Sequence, residues 1–323
     1  MSWSDDKQTI EGFIHRPVMA EEVVTLLASV PPGVVLDATL GGAGHAAALL
    51  EANPELRLVG LDQDPVAVAA GRVRLGVYGA RARVVQARFD RFAAILDDLE
   101  IGPITGALFD LGVSSPQLDQ PARGFSYRMD GPLDMRMDPS SPRSGADVVN
   151  QTSEAELTSL FAANGEGRWG RRIARAIVSN RPITTTTQLS ELVRSAIPAA
   201  ARRHGGHPAK RVFQAVRIAV NHELAILPGT LDGVMDRLLP EGRCVVLAYH
   251  SGEDRVVKER FVNAATGGCV CPPGLPCVCG AIPTVKLLNR GARRPTADEL
   301  VRNRRAESAR LRAVERLPTG EPR

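Results

Sequence analysis

The chain lacks any uninterrupted apolar stretch long enough to span a bilayer, and its amino-terminal residues, MSWSDDKQTIEGF, contain no apolar core of the kind a secretion signal needs. Both absences exclude a membrane role and lead us to expect a cytoplasmic protein. No internal repeat is visible, which excludes a solenoid or propeller. Cysteine is scarce, five in 323 residues. Cys244 lies in an apolar run and reads as a small core residue. The other four, Cys269, Cys271, Cys277 and Cys279, form a C-x-C-x5-C-x-C cluster broken by Pro272, Pro273, Gly274 and Pro276. In a reducing compartment such clustering favours thiolates around zinc over disulfides, yet the C-x-C spacing departs from the usual C-x2-C knuckle. A reduced loop is the alternative, and no metal is assigned. No other His, Cys and Glu grouping suggests a catalytic metal, and no His or Tyr motif for hydride chemistry is recognisable.

What the chain does have is length and hydrophobic content, 44%, enough to bury a full core. It is long for one domain, so one large domain with an insertion or second module is expected. The formal net charge of +4 conceals a division. Residues 1–150 hold 13 Lys and Arg against 20 Asp and Glu, and residues 151–323 hold 27 against 16. Most of the basic charge is arginine, in three clusters: Arg168, Arg171, Arg172 and Arg175; Arg202, Arg203, Lys210 and Arg211; and Arg290, Arg293, Arg294, Arg302, Arg304 and Arg305. One such cluster can be a solvated helix face. Three in one half favour a polyanionic partner, nucleic acid.

Strands are expected at about 34–38, 58–61, 83–87 and 104–110, alternating with helices at about 43–51, from Pro65, and at 91–99. That alternation predicts a parallel, doubly wound α/β sheet. From about Leu111 to Pro139 the pattern stops in a Gly-, Pro-, Ser- and Asp-rich stretch too long for an ordinary connection, a functional or disordered loop. Helices at about 154–161, 171–178 and 187–196 suggest a small helical insertion. A longer helix over 208–226 precedes apolar runs at 243–248 and 284–288 that read as returning strands. The charged tail from Ala297 to Arg316 reads as helical.

The most informative stretch is VVLDATLGGAGHAAALLEANPELRLVGLD, residues 34–62. An apolar strand ends in Asp37, a glycine turn of Gly41, Gly42, Ala43 and Gly44 opens a helix, and a second strand ends in Asp62. Gly42 to Ala47 fits the loose G-x-G-x-x-A dinucleotide fingerprint, and Asp62 has the spacing of a ribose-binding acid. A pyrophosphate on this turn would face Asp37, another anion. S-adenosylmethionine carries an ammonium and a sulfonium and no phosphate, so Asp37 favours it. A nicotinamide oxidoreductase and a non-catalytic RNA-binding protein remain as alternatives.

After the fourth strand come DLGVSSPQLD at 110–119 and RGFSYRMDGPLDMRMD at 123–138. Together with HRPVM at 15–19, RVFQAVRIAVN at 211–221 and HSGEDRVVK at 250–258, they give the whole chain, from about His15 to Arg312, a clear resemblance to the MraW (RsmH) family of bacterial 16S rRNA cytosine-N4 methyltransferases. The resemblance implies a Rossmann-like class I methyltransferase domain in two parts, 1–135 and 214–323, around an inserted all-helical domain at 136–213. It implies S-adenosylmethionine as cofactor and, as partner, a cytidine in the decoding region of 16S rRNA in the small ribosomal subunit. Cofactor contacts would fall on Ala43, Gly44, His45, Asp62, Phe89, Asp110 and Gln117.

Many amino methyltransferases place an Asp, Asn or Ser before Pro-Pro-aromatic after the fourth strand. Here Ser115-Pro116-Gln117 departs from that pattern, so no catalytic residue is assigned. Phe125 or Tyr127 would stack on the base, Asp134 would accept from its amine, and Arg136 would bind phosphate. The 123–138 loop is expected to stay mobile until RNA orders it.

Overall fold

The computed structural model describes residues 17–199, 201, 207–272 and 278–318. The amino-terminal stretch with His15 and Arg16, the basic pair Arg202 and Arg203, and Cys277 lie outside the described residues. Contacts divide the chain into two compact units, one of residues 1–112 and 226–323, the other of residues 113–225.

The first unit is built on seven strands: β1 (Gly33–Asp37), β2 (Leu56–Asp62), β3 (Ala82–Gln86), β4 (Ile104–Asp110), β5 (Leu238–Ala248), β6 (Val285–Leu287) and β7 (Arg310–Arg316). Their order is β3-β2-β1-β4-β5-β7-β6. The first five run parallel, and β7 is antiparallel to both β5 and β6. The central strands read as unbroken apolar runs because both faces are covered. Along β4 and β5, Ala107, Phe109, Cys244 and Val246 point to one core, and Leu108, Val245 and Leu247 to the other. Helices α1 (Ala20–Leu27), α2 (Gly44–Ala52), α3 (Pro65–Leu75) and α4 (Phe92–Asp98) fill the first half. This is a doubly wound, Rossmann-like sheet. The order reverses direction at β1, so the open crevice lies at the carboxyl ends of β1, β2 and β4.

The tail departs from its helical expectation. Its helical part is α13 (Ala297–Arg302) and a 3-10 turn over Arg304–Ser308, and residues 310–316 form β7. Its charges alternate instead of following a helical period. Leu311 and Ala313 are buried, Arg312 pairs with Asp254, and Glu315 lies between Arg243 and Lys286.

The second unit holds α5 (Ser115–Asp119), α6 (Gly145–Gln151), α7 (Glu154–Ala163), α8 (Gly170–Ser179), α9 (Thr186–Ala196) and α10 (Ala209–Asn221) around a core that includes Leu157, Phe161, Ile173, Ile177, Leu189 and Val216. α6 and α7 each open with a capping box, Ser144 with Asp147 and Ser153 with Glu156. The helix expected over 208–226 is interrupted at His222, whose φ is +56°, and α11 (Glu223–Arg237) follows. The unit starts before residue 136 and ends beyond 213 because the stretch after β4 belongs to its core: Phe125, Leu133, Met135 and Met137 are all buried there. The connection from α11 into β5 is followed by α12 (Ser251–Thr266).

Candidate active site

Three strand ends and one turn make the centre of the first unit's crevice. The chain leaves β1 at Asp37, whose carboxylate accepts the Thr39 N–H at 3.2 Å. Thr39 in turn offers its hydroxyl oxygen to the Asp110 N–H at 2.6 Å, which fixes the end of β4 against the end of β1. The turn then enters α2 through Ala43, held in the left-handed region at φ +56°. Gly44 permits Pro17 to pack on the turn, since a Cβ there would lie 2.4 Å from the proline ring. Pro17 belongs to the HRPVM sequence. Asp62, at the tip of β2, accepts the N–H groups of Gly41 at 2.8 Å and Asp64 at 2.9 Å. It thus braces the glycine turn before any ligand arrives.

Three carboxylates therefore converge, Asp37, Asp62 and Asp110. Among the described residues none of them has a lysine or arginine partner. Asp37 is 1% exposed, and burial pushes its pKa up to about 7, against the pull of His45 and the Thr39 N–H and with a further push from Asp110 and Asp62. Burial also pushes Asp62 up to about 6, against its bonds from Asp64 and Gly41. His45 is buried, and among the described residues neither ring nitrogen has a hydrogen-bond partner. Its Nε2 lies 3.6 Å from Asp110 Oδ2. Buried unsatisfied polar atoms cost about 1–3 kcal/mol each, so a site with an orphaned imidazole and acids short of cations is built for a polar, positively charged ligand.

Two further residues complete the crevice, of which Tyr249 carries no local sequence signal. Tyr249, one residue beyond β5, donates its hydroxyl to Asp110 Oδ1 at 2.6 Å. Burial and the adjacent Asp110 carboxylate hold its pKa well above the ordinary value, so it stays a donor. His250 is the N-cap of α12: its Nδ1 accepts the N–H groups of Gly252 and Glu253, and Glu253 Oε2 accepts those of Tyr249 and His250. An accepting Nδ1 places the imidazole proton on Nε2, which lies 2.9 Å from Glu253 Oε1. The HSGEDRVVK sequence is thus the cap that presents Tyr249 to Asp110. Phe89 is buried after β3 and packs edge-on against Phe109, with ring centroids 5.9 Å apart, in the sheet core.

The remaining sequence-chosen residues lie in the second unit. Gln117 sits in the first turn of α5, where its side-chain oxygen accepts the Ser114 N–H at 3.0 Å as part of a capping box. Asp134 and Arg136 are bound to each other: Nε meets Oδ1 at 2.7 Å, Nη2 meets Oδ2 at 2.9 Å, and Nη1 reaches the Ser141 carbonyl at 2.9 Å. Burial pushes the Asp134 carboxyl up, but Arg136 outweighs it and holds the pKa below the usual range. Phe125 is buried in the helical core, with Arg123 over its ring. Tyr127 stacks on His207 at 4.6 Å and meets Phe213 edge-on at 6.0 Å.

These contacts correct the expectation of a loop that waits for RNA. Gly124, at φ +74°, lets the Pro132 carbonyl and Asp134 N–H approach to where a Cβ would stand, at 2.3 and 2.6 Å. Asn221 accepts the Met137 N–H at 2.8 Å and donates to the Met135 carbonyl at 2.9 Å. The stretch is ordered by its own unit. Asp134 and Arg136 neutralise each other instead of standing ready separately for an amine and a phosphate.

Comparison with known proteins adds an independent line. A sequence profile of the MraW methylase family matches residues 12–317. Ribosomal RNA small subunit methyltransferase H of Thermobifida fusca is 52% identical over 315 residues, covering 95% of this chain and 94% of that protein. The proteins of the same name from Acidothermus cellulolyticus and Symbiobacterium thermophilum are 51% and 47% identical, covering 94% and 96% of this chain and 94% and 99% of theirs.

Proposed function

The chain belongs to the MraW methylase family, and we propose that it transfers a methyl group from S-adenosylmethionine to the exocyclic N4 amine of a cytidine in the decoding region of 16S rRNA. The observation that carries this reading is the cation-poor carboxylate crevice of Asp37, Asp62 and Asp110 around the glycine turn. A dinucleotide pyrophosphate would meet three like charges there. The relatives named above are ribosomal RNA small subunit methyltransferases. Such a substrate supports reading the protein as a cytoplasmic partner of the small ribosomal subunit. No helix among the described residues is long and apolar enough to cross a membrane.

When bound, the donor supplies an electrophilic methyl group on a positively charged sulfur. The chain's own residues bind and orient. Ala43, Gly44 and His45 line the turn where the methionine portion rests, and Asp62 accepts from the ribose hydroxyls while keeping its backbone bonds. Phe89 borders the adenine side. Asp110, oriented by Tyr249 and the β4 end, accepts an N–H of the target amine. This matters because that nitrogen shares its lone pair with the cytosine ring and must be held in line with the methyl carbon. The donor would supply the methyl carbon and keep the C–S bonding pair on its sulfur, and the proton that the methylated nitrogen gives up would pass to solvent. Of the four substrate residues chosen from sequence, Tyr127 is partly exposed, and with His207 stacked on its ring at 4.6 Å and the Arg128 guanidinium over it at 5.5 Å it forms the aromatic and basic cluster offered to a base. Phe125, Asp134 and Arg136 support the surface beside it.

Labelled donor incubated with small subunits lacking the modification, followed by digestion to nucleosides, tests the reading directly. Label in N4-methylcytidine is expected. Label only in another nucleoside, or none, overturns it.

Donor affinity should depend on pH. Asp37 and Asp62 take up protons between about pH 4 and 7 on folding, so burial destabilises the donor-free fold as pH rises through that window. A cationic donor favours the ionised carboxylates and must expel those protons. Affinity should therefore rise by roughly tenfold between pH 5.5 and 7.5. Calorimetry across that range, with NAD as the competing ligand, is the check. A flat profile, or NAD binding in place of the donor, removes the carboxylates from the donor site.

RNA contact is assigned to the exposed arginine face of α8. Arg171, Arg172 and Arg175 are exposed there, and among the described residues only Arg175 approaches an acid, Glu154 at 3.6 Å. Replacing all three with Gln should lower the dependence of log affinity on log salt by roughly 2, through lost counterion release, with donor binding intact. An unchanged slope would make them solvated decoration.

A further inference from the structure

The cysteine cluster follows the end of α12 opposite its His250 cap, in the connection to the edge strand β6. α12 ends at Gly267, held at φ +64°, where a side chain would collide with the Ile282 backbone at 2.5 Å. The Thr284 N–H donates to the Ala264 carbonyl at 3.0 Å. The base of the connection is thereby closed. Beyond that base apolar packing contributes little, because Val270, Val278 and Ile282 are 88%, 89% and 71% exposed. Hydrophobic burial therefore does not hold the tip together.

The sulfur atoms nevertheless converge. Sγ of Cys269, Cys271 and Cys279 all lie within 4.8 Å of one another, with Cys269 and Cys279 3.6 Å apart. A bonded pair would stand at about 2.05 Å. Two thiolates on one tetrahedral zinc, each about 2.3 Å from the metal, stand roughly 3.8 Å apart. The Val278 N–H points at Cys271 Sγ at 3.5 Å, a donor that steadies a thiolate. The two arms contribute unequally, Cys269 and Cys271 from the first and Cys279 from the second. The C-x-C spacing that departs from the usual knuckle is thus still compatible with a shared centre.

We infer that Cys269, Cys271 and Cys279 bind one zinc ion, which clamps the α12–β6 connection and takes no part in methyl transfer. Each thiol that ligates gives its proton to solvent, and the metal replaces the missing core as the tie between the two arms. The fourth position is open to water or another donor. Cys277, the remaining cysteine of the sequence cluster, lies outside the described residues.

The full chain, purified under reducing conditions without chelator, should contain about one zinc per molecule by elemental mass spectrometry. After replacement by cobalt(II) it should show a thiolate-to-metal charge-transfer band in the near ultraviolet. Cys269→Ser with Cys271→Ser should reduce bound metal to below about a tenth, while donor affinity by calorimetry stays at the parent value. Amide exchange across residues 264–284 should accelerate in that variant and in the parent protein treated with chelator. Metal-free parent protein that takes up no cobalt, a variant that keeps its metal, or a Cys269–Cys279 disulfide found in the reduced preparation each overturn the inference. Donor binding unaltered in the variant separates this failure from any failure of the methyltransferase reading.

Discussion

Asp110→Asn is expected to slow methyl transfer at saturating donor and RNA by roughly a hundredfold, the usual consequence of losing one preorganised electrostatic contact at a reacting centre. The substitution is nearly isosteric. Its carboxamide oxygen can still accept the Tyr249 hydroxyl, which now bonds Asp110 Oδ1 at 2.6 Å, so the end of β4 keeps its shape. What changes is the other oxygen, which lies 3.6 Å from His45 Nε2 and becomes an NH2 group. A carboxylate accepts from an amine N–H more strongly as the nitrogen gains positive charge, whereas an amide NH2 opposes it donor to donor. Single-turnover kinetics at saturating concentrations isolate this step. Normal turnover would remove Asp110 from the amine. A weaker donor affinity with an unchanged chemical rate would move it to the donor's adenine instead. The melting temperature should stay near the parent value, because Asp110 is partly exposed and its backbone is fixed by Thr39.

The crevice acids were legible in the sequence because each sits where a local pattern changes. An apolar run ends in Asp37, Asp62 or Asp110, and runs buried on both faces of a parallel sheet are among the plainest signals a chain carries. Tyr249 was not legible. A lone tyrosine after an apolar run looks like any strand end, and its role comes from Asp110, far away in the chain. β7 was obscured for a related reason. Arg310, Arg312 and Glu315 give the tail its charge, and the partners that make a strand of it, Asp254, Arg243 and Lys286, lie on other elements. The stretch at 123–138 misled most. Its composition lacks a period, as a mobile loop does, but its order is supplied by Asn221, Thr184 and Thr186, which no local reading of the stretch includes.

That long-range dependence gives the second large expectation. Asn221→Ala should destabilise the helical unit by about 3 kcal/mol. Asn221 is buried at the end of α10, and its side chain satisfies both the Met137 N–H and the Met135 carbonyl. Met135 and Met137 are themselves buried in the core of that unit. Alanine reaches neither backbone group. The unit's unfolding transition should fall by roughly 10 °C in calorimetry, and amide exchange across residues 123–137 should accelerate. Donor binding, a property of the other unit, should survive. Methyl transfer should then track the folded fraction, recovering at low temperature and failing as the transition is approached. If melting and exchange are both unchanged, the stretch is held by something other than Asn221. If methyl transfer is lost at temperatures where the unit is fully folded, Asn221 acts on substrate directly, and the surface it supports is more than a scaffold for the base.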